Sequence, residues 1–154
     1  MRDKDKSDIL PEGVLVTPAK IISNENGDVL HGLKATDESF VSFGEAYFST
    51  VRSGKRKGWK RHTRMTLNIV VPAGEIGFVL FDDRQASVTT GKFYEVTVSR
   101  KNYVRLTVPP GIWMAFYGKG EGENMLLNIA SIPHDPTEAE NLPLENDRIK
   151  YSWV

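Results

Sequence analysis

The chain has 154 residues, 40% of them hydrophobic, and its 20 Lys and Arg balance its 20 Asp and Glu, so we expect one soluble domain with a sizeable core. It contains no cysteine, which excludes thiol chemistry and cysteine-ligated zinc and favours a cytoplasmic location. The net charge of zero gives no general attraction for nucleic acid or an anionic membrane, and no apolar stretch is long enough to span a bilayer.

The first part of the chain predicts a flexible end followed by weak strands. Residues 1–12 begin with mixed charges rather than a signal sequence, so we expect a flexible N-terminus and a single domain over residues 13–154. Three short runs rich in β-branched residues then predict edge strands: Val14–Val16, Lys20–Ser23 and Val29–Leu33.

A block of positive charge occupies Arg52–Arg61. Its glycines, Gly54 and Gly58, favour a solvated loop. The next segment, His62–Val71, alternates apolar and mostly polar residues with a period of two, which predicts one strand. Its apolar side carries Met65, Leu67, Ile69 and Val71.

The rest of the chain also favours strands. Gly, Pro, Asn and Asp separate most of the runs, as expected for tight turns. Only Thr137–Leu144 leaves room for a turn or two of helix. Roughly eight to eleven short strands predict an all-β sandwich or jelly roll with a cavity between its sheets. The further predicted strands are Phe40–Val51, Ile76–Phe81, Phe93–Val98, Tyr103–Val108, Ile112–Tyr117 and Met125–Ser131.

His62 is the strongest candidate for chemistry, because imidazole exchanges a proton near neutral pH and this residue would lie at the rim of a barrel. A surface or capping histidine is the alternative. The chain has three histidines, and no two have the spacing of metal ligands. Lys60 stands where metal-binding jelly rolls have the first histidine of a His-x-His pair, and a protonated lysine is a poor ligand. We therefore expect no metal.

Binding candidates come from a planar guanidinium and from aromatic rings. Arg84 follows two aspartates and suits a phosphate or carboxylate, although an ordinary hairpin turn explains the same residues. Aromatic residues could stack on a nucleobase or a sugar, with core packing as the alternative. They are Tyr47, Trp59, Trp113, Phe116 and Tyr117.

The order of these segments resembles the RmlC-like cupins, which include the dTDP-4-dehydrorhamnose 3,5-epimerases and the dTDP-sugar 3,4-ketoisomerases. The resemblance covers roughly Phe40 to Trp153. It implies a double-stranded β-helix jelly roll, usually a homodimer, that binds a nucleotide-linked 4-keto sugar without a metal or other cofactor and serves polysaccharide biosynthesis. The segments that carry it are Lys57–His62, Val71–Gly74, Gly77–Arg84, Val88–Gly91, Leu106–Trp113, Leu126–Asn128 and Asp147–Trp153.

The resemblance also assigns roles to individual residues. His62 matches the second histidine of the ketoisomerase Arg-Gly-x-His-x-His pattern, while Lys60 replaces the first histidine and Lys57 the arginine. A carboxylate that orients the base would fall near Asp147. The family's epimerase residues are replaced elsewhere: their Gln-x-Lys falls on Met65 to Leu67, their catalytic Tyr near Leu126 or Leu127 and a further His on Met114.

The resemblance therefore implies an epimerase or 3,4-ketoisomerase that abstracts a proton beside a carbonyl. The expected catalytic residues are His62, Lys60, Tyr47 and Asp147, and the expected substrate-binding residues are Lys57, Trp59, Arg84 and Trp113.

The alternative is a non-catalytic cupin that binds a carbohydrate or a protein. Met65, Leu67, Met114 and Leu126 filling the barrel would favour the alternative. An open cavity with His62 facing a tyrosine hydroxyl would count against it.

Overall fold

The structure is a computed structural model that describes residues 6–153. Over that range the backbone forms twelve β-strands and no α-helix. No helix among these residues is therefore long and apolar enough to cross a membrane. The strands are β1 (Leu15–Pro18), β2 (Ile21–Ile22), β3 (Val29–Leu30), β4 (Glu45–Val51), β5 (Arg56–His62), β6 (Leu67–Ala73), β7 (Glu75–Asp82), β8 (Lys92–Ser99), β9 (Val104–Val108), β10 (Trp113–Gly118), β11 (Asn124–Ala130) and β12 (Ala139–Asn141).

Two five-stranded antiparallel sheets form the body of the molecule. The first has the order β1-β9-β6-β11-β4 and the second β12-β5-β10-β7-β8, while β2 and β3 form a separate hairpin. Except for β7 and β8, which are consecutive, neighbours in each sheet are far apart in sequence, as expected when a jelly roll winds the chain between two sheets. The prediction of an all-β jelly roll is confirmed.

The main core lies between the two sheets. Strand alternation directs every second side chain inward, and the fully buried residues include Ile69 on β6, Phe78 on β7 and Leu106 on β9. A second apolar cluster lies on the outer face of the second sheet, where Trp59 and Trp113 are each 1% exposed. The C-terminal segment covers it with Ile149, Leu142, Leu144, Tyr151 and Trp153.

The loop prediction for the basic segment is right only for residues 52–55, which form a turn between β4 and β5, and it was wrong for residues 56–61. Arg56–His62 forms β5, which pairs with β10 on one side and with β12 on the other. An interior strand satisfies its backbone on both sides while its charged side chains still reach solvent, and this explains how so basic a run lies inside a sheet.

The single strand predicted over His62–Val71 is divided in the structure. β5 ends at His62 and β6 begins at Leu67, and a turn joins them. The helical turn predicted within Thr137–Leu144 is also wrong, because Ala139–Asn141 forms the short edge strand β12.

The structure describes only part of the N-terminal segment that the sequence predicts to be flexible. Residues 1–5 of that segment lie outside the described residues. The next residues lie beside β8: Lys6 bridges to Phe93, the Ser7 backbone N–H donates to the Phe93 carbonyl at 2.8 Å, and Leu10 packs against the core.

Candidate active site

A cavity of about 340 Å³ lies between the two sheets. Its apolar wall comes from both sheets, and its polar side chains come from β4, β5, β11 and β12. Lysine and histidine line it, and among the described lining residues there is no carboxylate, so the cavity suits an anionic ligand. Its lining comprises Tyr47, Ser49, Lys57, Gly58, Trp59, Lys60, His62, Leu67, Ile69, Val108, Pro109, Ile112, Met114, Phe116, Leu126, Asn128 and Asn141.

An irregularity in β5 directs both of its lysines into this cavity. Lys60 pairs with Met114 and Lys57 with Phe116, so three residue steps on β5 match two on β10. Such a bulge reverses the alternation on the longer strand. Lys57 and Lys60, which a regular strand would place on opposite faces, therefore line the same cavity.

His62 ends β5 and is held by Glu138. Its Nδ1 makes a short hydrogen bond with Oε1 of Glu138. The side chains are 12% and 2% exposed respectively, so the pair is largely shielded from water. Ala139, the residue after Glu138, is the register partner of His62, and β12 thereby places this carboxylate behind the histidine.

The turn after β5 supplies further donors to Glu138. Its Oε2 accepts hydrogen bonds from the backbone N–H groups of Thr63 (3.2 Å), Arg64 (3.1 Å) and Met65 (3.3 Å). Burial alone raises the pKa of Glu138. The hydrogen bonds from His62 and from these backbone groups outweigh that effect and hold the pKa below its ordinary value.

The charge on Glu138 determines what His62 can do. An ionised carboxylate accepts hydrogen bonds only, so Nδ1 of His62 carries the hydrogen and donates it. In the neutral ring Nε2 is then the basic nitrogen, and His62 lines the cavity. This is the arrangement of a general base oriented by a buried carboxylate.

The two cavity lysines differ in their partners. Lys57 donates from Nζ to Oγ of Ser49 at 3.3 Å, which connects β5 to β4 across one side of the cavity. Lys60 has no ion-pair or hydrogen-bond partner among residues 6–153. Its ammonium group is therefore free to interact with negative charge on a ligand.

The opposite wall carries a second polar pair. Tyr47 on β4 and Asn128 on β11 are register partners, and Nδ2 of Asn128 donates to the Tyr47 hydroxyl oxygen at 3.0 Å. Both line the cavity, whose other wall holds His62 and Lys60. A proton donor and a base thus reach one cavity from different sheets.

The two tryptophans predicted to bind substrate occupy different positions. Trp59 lines the cavity but also packs in the outer aromatic cluster against Phe93, Tyr151 and Trp153. Trp113 lies on the outer face, where its Nε1 donates to Asp83 at 3.1 Å. Because Met114 is the next residue on β10, strand alternation directs Met114 rather than Trp113 into the cavity.

The structure does not bring Arg84 or Asp147 to the cavity. Arg84 donates from Nε and Nη2 to the buried carboxylate of Asp82, at 2.9 and 3.0 Å, and from Nη2 to the Glu12 carbonyl at 2.9 Å. Asp147 is fully exposed and pairs with Lys150 at 3.0 Å. Glu138, which the sequence did not single out, occupies the orienting position expected for Asp147. Glu138 lies 76 residues from His62, so no local motif joins them.

The four apolar residues that would fill the barrel of a non-catalytic cupin do not close the cavity. Met65 is buried in the core and does not line the cavity, whereas Leu67, Met114 and Leu126 form part of its wall and leave it open. No group of three or more His, Asp or Glu side chains among residues 6–153 is arranged to hold a metal ion.

Comparison with known proteins relates this fold and cavity to sugar-modifying enzymes. A dTDP sugar isomerase from Desulfovibrio desulfuricans G20, known from a crystal structure, is 39% identical in sequence to this chain. The two structures superpose with a TM-score of 0.90 over 94% of each chain. The chain belongs to the RmlC-like cupins. The resemblance inferred from the sequence is therefore confirmed.

Two more distant proteins are similar to this chain, one in sequence and one in fold. A protein of Haloferax volcanii, described as a probable low-salt glycan biosynthesis epimerase, is 25% identical to this chain. The alignment covers 91% of this chain and 92% of that protein. The crystal structure of the dTDP-4-dehydrorhamnose 3,5-epimerase of Sulfolobus tokodaii has the same fold, with a TM-score of 0.78. Its sequence is 21% identical, and the match covers 93% of this chain and 85% of that one. No family profile matches the chain.

Proposed function

We propose that this RmlC-like cupin is a sugar-nucleotide epimerase or 3,4-ketoisomerase that acts on a dTDP-linked or other nucleotide-linked 4-keto-6-deoxyhexose. The observation that carries the proposal is the His62–Glu138 pair beside the free ammonium group of Lys60 in one cavity. Its relatives named as isomerases and epimerases support the same class of reaction.

The first step is proton abstraction beside the sugar carbonyl. Nε2 of His62 takes the hydrogen from the carbon, and the electron pair of the C–H bond moves to the carbonyl oxygen to give an enolate. Glu138 stabilises the imidazolium that forms, because its carboxylate accepts the Nδ1 hydrogen. Lys60 is placed to stabilise the negative enolate oxygen.

The second step returns a proton to carbon. Tyr47 reaches the cavity from the opposite sheet and can deliver its hydroxyl proton to the face of the sugar away from His62. Return to the same carbon on the opposite face inverts it. The ketoisomerase route differs. A proton first moves from the hydroxyl on the deprotonated carbon to the enolate oxygen, and the former carbonyl carbon is then protonated. The ketone is thereby transferred to the neighbouring carbon, and the former carbonyl becomes a hydroxyl.

Substrate binding is proposed for Lys57, the second of the two cavity lysines. Lys57 lies on β5 beside Ser49, where its charge suits the diphosphate. Trp59 is 1% exposed and its ring packs in the outer aromatic cluster, so no stacking role is proposed for it. Arg84 and Trp113 are omitted from this proposal because both are engaged outside the cavity.

Solvent deuterium exchange tests the reaction. The protein is incubated with dTDP-4-keto-6-deoxyglucose in deuterated water and the sugar is followed by proton NMR. We expect deuterium at the carbon that is inverted or at the carbon that receives the transferred proton, and none with His62→Asn. Absence of exchange and of any new ketosugar across several nucleotide sugars would overturn the proposal.

A homodimer and the cytoplasmic location expected from the sequence are part of the same proposal. β4 ends its sheet with an open edge, and Phe43 and Phe48 near it are 65% and 63% exposed. An exposed edge with large apolar side chains favours pairing with another chain, here a second copy.

Sedimentation equilibrium tests this dimer. We expect the wild-type mass to be twice that of one chain and Phe48→Glu to shift the protein toward monomer. Val88→Glu, at an exposed apolar residue distant in sequence from β4, is the control and should stay dimeric. A wild-type protein that sediments as a monomer at all concentrations would contradict the dimer.

A further inference from the structure

Asn128 is a buried amide whose oxygen has no partner within the described chain. The residue is 2% exposed, and its side chain lines the cavity. Its Nδ2 donates to Tyr47, but its Oδ1 is buried and accepts no hydrogen bond from residues 6–153. Buried polar side-chain atoms normally have a partner, and this oxygen is free to accept a hydrogen bond from a group bound in the cavity.

The surroundings of Asn128 leave the cavity as the source of that partner. Its register neighbour on β6 is Ile69, and Leu126 is the next inward residue on β11. Both are apolar cavity-lining side chains and offer no hydrogen to the amide oxygen. A group bound in the cavity must therefore be a hydrogen-bond donor at this point.

The chemistry of the amide oxygen restricts what that group is. A carbonyl oxygen accepts hydrogen bonds and repels phosphate or carboxylate oxygens, so this position does not suit the diphosphate. The two lysines that attract anions belong to β5, on the other sheet. A neutral hydroxyl is the donor that suits an apolar wall with one buried acceptor.

The same amide also constrains Tyr47. Because the phenol oxygen accepts the hydrogen of Nδ2, its own hydrogen must be directed to another acceptor. Tyr47 lines the cavity, so this hydrogen can be directed to an acceptor on a sugar bound there. The Tyr47 oxygen accepts from Asn128, and its hydroxyl hydrogen stays available to donate to the ligand.

We propose that Asn128 is a specificity and positioning residue. Its Oδ1 accepts a hydrogen bond from a hydroxyl of the bound hexose, and its Nδ2 orients the Tyr47 hydroxyl toward the reacting carbons. The identity of the ligand as a nucleotide-linked hexose rests on the proposed function. The role of the amide itself rests on the hydrogen bond to Tyr47 and on the unpartnered oxygen.

Binding of unreactive sugars tests the specificity. Calorimetry compares dTDP-6-deoxyglucose, which has no carbonyl to react, with its analogues lacking the hydroxyl at C2 or at C3. We expect wild-type protein to bind one analogue about tenfold more weakly than the parent sugar. Asn128→Leu should bind that analogue and the parent equally. The proposal is overturned if this variant keeps the wild-type preference or if the wild type has none.

Asn68→Leu is the matched control for loss of a buried amide. Asn68 is 4% exposed on β6, but its amide donates to the Ser39 carbonyl and accepts from Thr107, so it has its partners within the chain. We expect this variant to lower the melting temperature and keep the preference between sugars. A change of preference equal to that of Asn128→Leu would show a merely structural effect.

Two measurements address the link to Tyr47. The side-chain amide NMR signal of Asn128 should shift in Tyr47→Phe, an experiment that leaves Asn128 unchanged and so does not depend on whether its variant folds. In turnover, Asn128→Leu should lower kcat in the wild type and leave kcat unchanged in Tyr47→Phe. An unmoved signal, or equal and independent losses of kcat, would overturn the positioning role.

The outcomes separate this proposal from the proposed function. A wild-type protein that binds the sugars without deuterium exchange refutes the reaction, while the sugar preference still decides the role of Asn128. Active wild-type protein whose Asn128→Leu variant keeps the preference refutes only the role of Asn128. A protein that binds none of these sugars overturns both.

Discussion

Glu138 gives His62 a defined protonation state at the scale of single residues. Three backbone N–H groups and the imidazole converge on its carboxylate, which is almost fully buried. A buried carboxylate with this many donors remains ionised and fixes which ring nitrogen carries the hydrogen. The basic nitrogen of His62 is thereby the one available to a ligand.

Glu138→Gln tests this role directly. The amide can no longer stabilise an imidazolium by charge, so we expect kcat for deuterium exchange to fall about 100-fold or more. Asp147→Asn is the matched control, since Asp147 is fully exposed and pairs with Lys150 at the surface, and it should leave kcat unchanged. The opposite pattern, with loss only in the Asp147 variant, would identify Asp147 as the orienting carboxylate.

Arg84 is expected to act on stability rather than on substrate. It donates to Asp82, which is fully buried, so Arg84→Gln leaves that carboxylate short of its charged partner. We expect the free energy of unfolding to fall by about 2–3 kcal/mol, measured in urea, with KM unchanged. Arg100→Gln, which removes an exposed pair with Asp28, should change stability by less than about 1 kcal/mol. A raised KM in Arg84→Gln at unchanged stability would restore the diphosphate role.

At the scale of strands, the bulge between β5 and β10 decides which side chains meet a ligand. It places Lys57 and Lys60 on the same face, and Gly58 lies within it with φ of +140°. A Cβ on Gly58 would lie 2.5 Å from the Cβ and 2.7 Å from the Cα of Ala115. The close approach of β5 to β10 therefore requires glycine at this position.

Gly58→Ala should disturb both the sheet and the cavity. The contact with Ala115 and the unfavourable φ together predict a loss of about 2–3 kcal/mol in the free energy of unfolding. KM should rise as well, because Lys57 is the adjacent residue. Gly122→Ala is the control, since its Cβ would contact nothing within 4 Å. Equal stability of the two variants in urea would refute the packing argument.

At the scale of the whole molecule, two buried carboxylates hold turns and loops against the strands. Glu138 joins β12 to the turn after β5, and Asp82 joins β7 to the loop that precedes β8. Burial raises the pKa of Asp82, but hydrogen bonds from Arg84, Ser87 and Thr89 outweigh it and hold the pKa below its usual range. Both groups are therefore more acidic in the folded chain than in the unfolded one.

Stability should consequently decrease on the acid side. A carboxyl whose pKa is lowered by folding contributes its full stabilisation above its unfolded value, near 4.5 for Glu138, and loses it as the pH falls toward the folded value. We expect urea midpoints to be level near neutral pH and to fall below about pH 4.5. Glu138→Gln should show a smaller decrease over that window, and an equal decrease in both proteins would contradict the assignment.

Much of the fold could be predicted from local patterns. Period-two alternation, separated by Gly, Pro, Asn and Asp, located most strands and the all-β class, because it reports only on the two faces of one segment. The basic run Arg52–Arg61 gave a wrong prediction for its second half, since charge predicts exposure of side chains and not the pairing of the backbone beneath them. β12 was missed because Ala139–Asn141 contains no β-branched or aromatic residue.

The candidate site, like the fold, was predictable only where its residues are close together in sequence. The local pattern was enough to predict a jelly roll and to identify His62, Lys60 and Lys57 as the titratable and cationic groups of one motif. Folding of the whole chain was needed to place Glu138 behind His62, to bring Tyr47 and Asn128 to the same cavity, and to keep Arg84, Trp113 and Asp147 away from it. His62 and Glu138 lie 76 positions apart and Tyr47 and Asn128 lie 81 apart, and contacts at such separations leave no periodic signal in the chain.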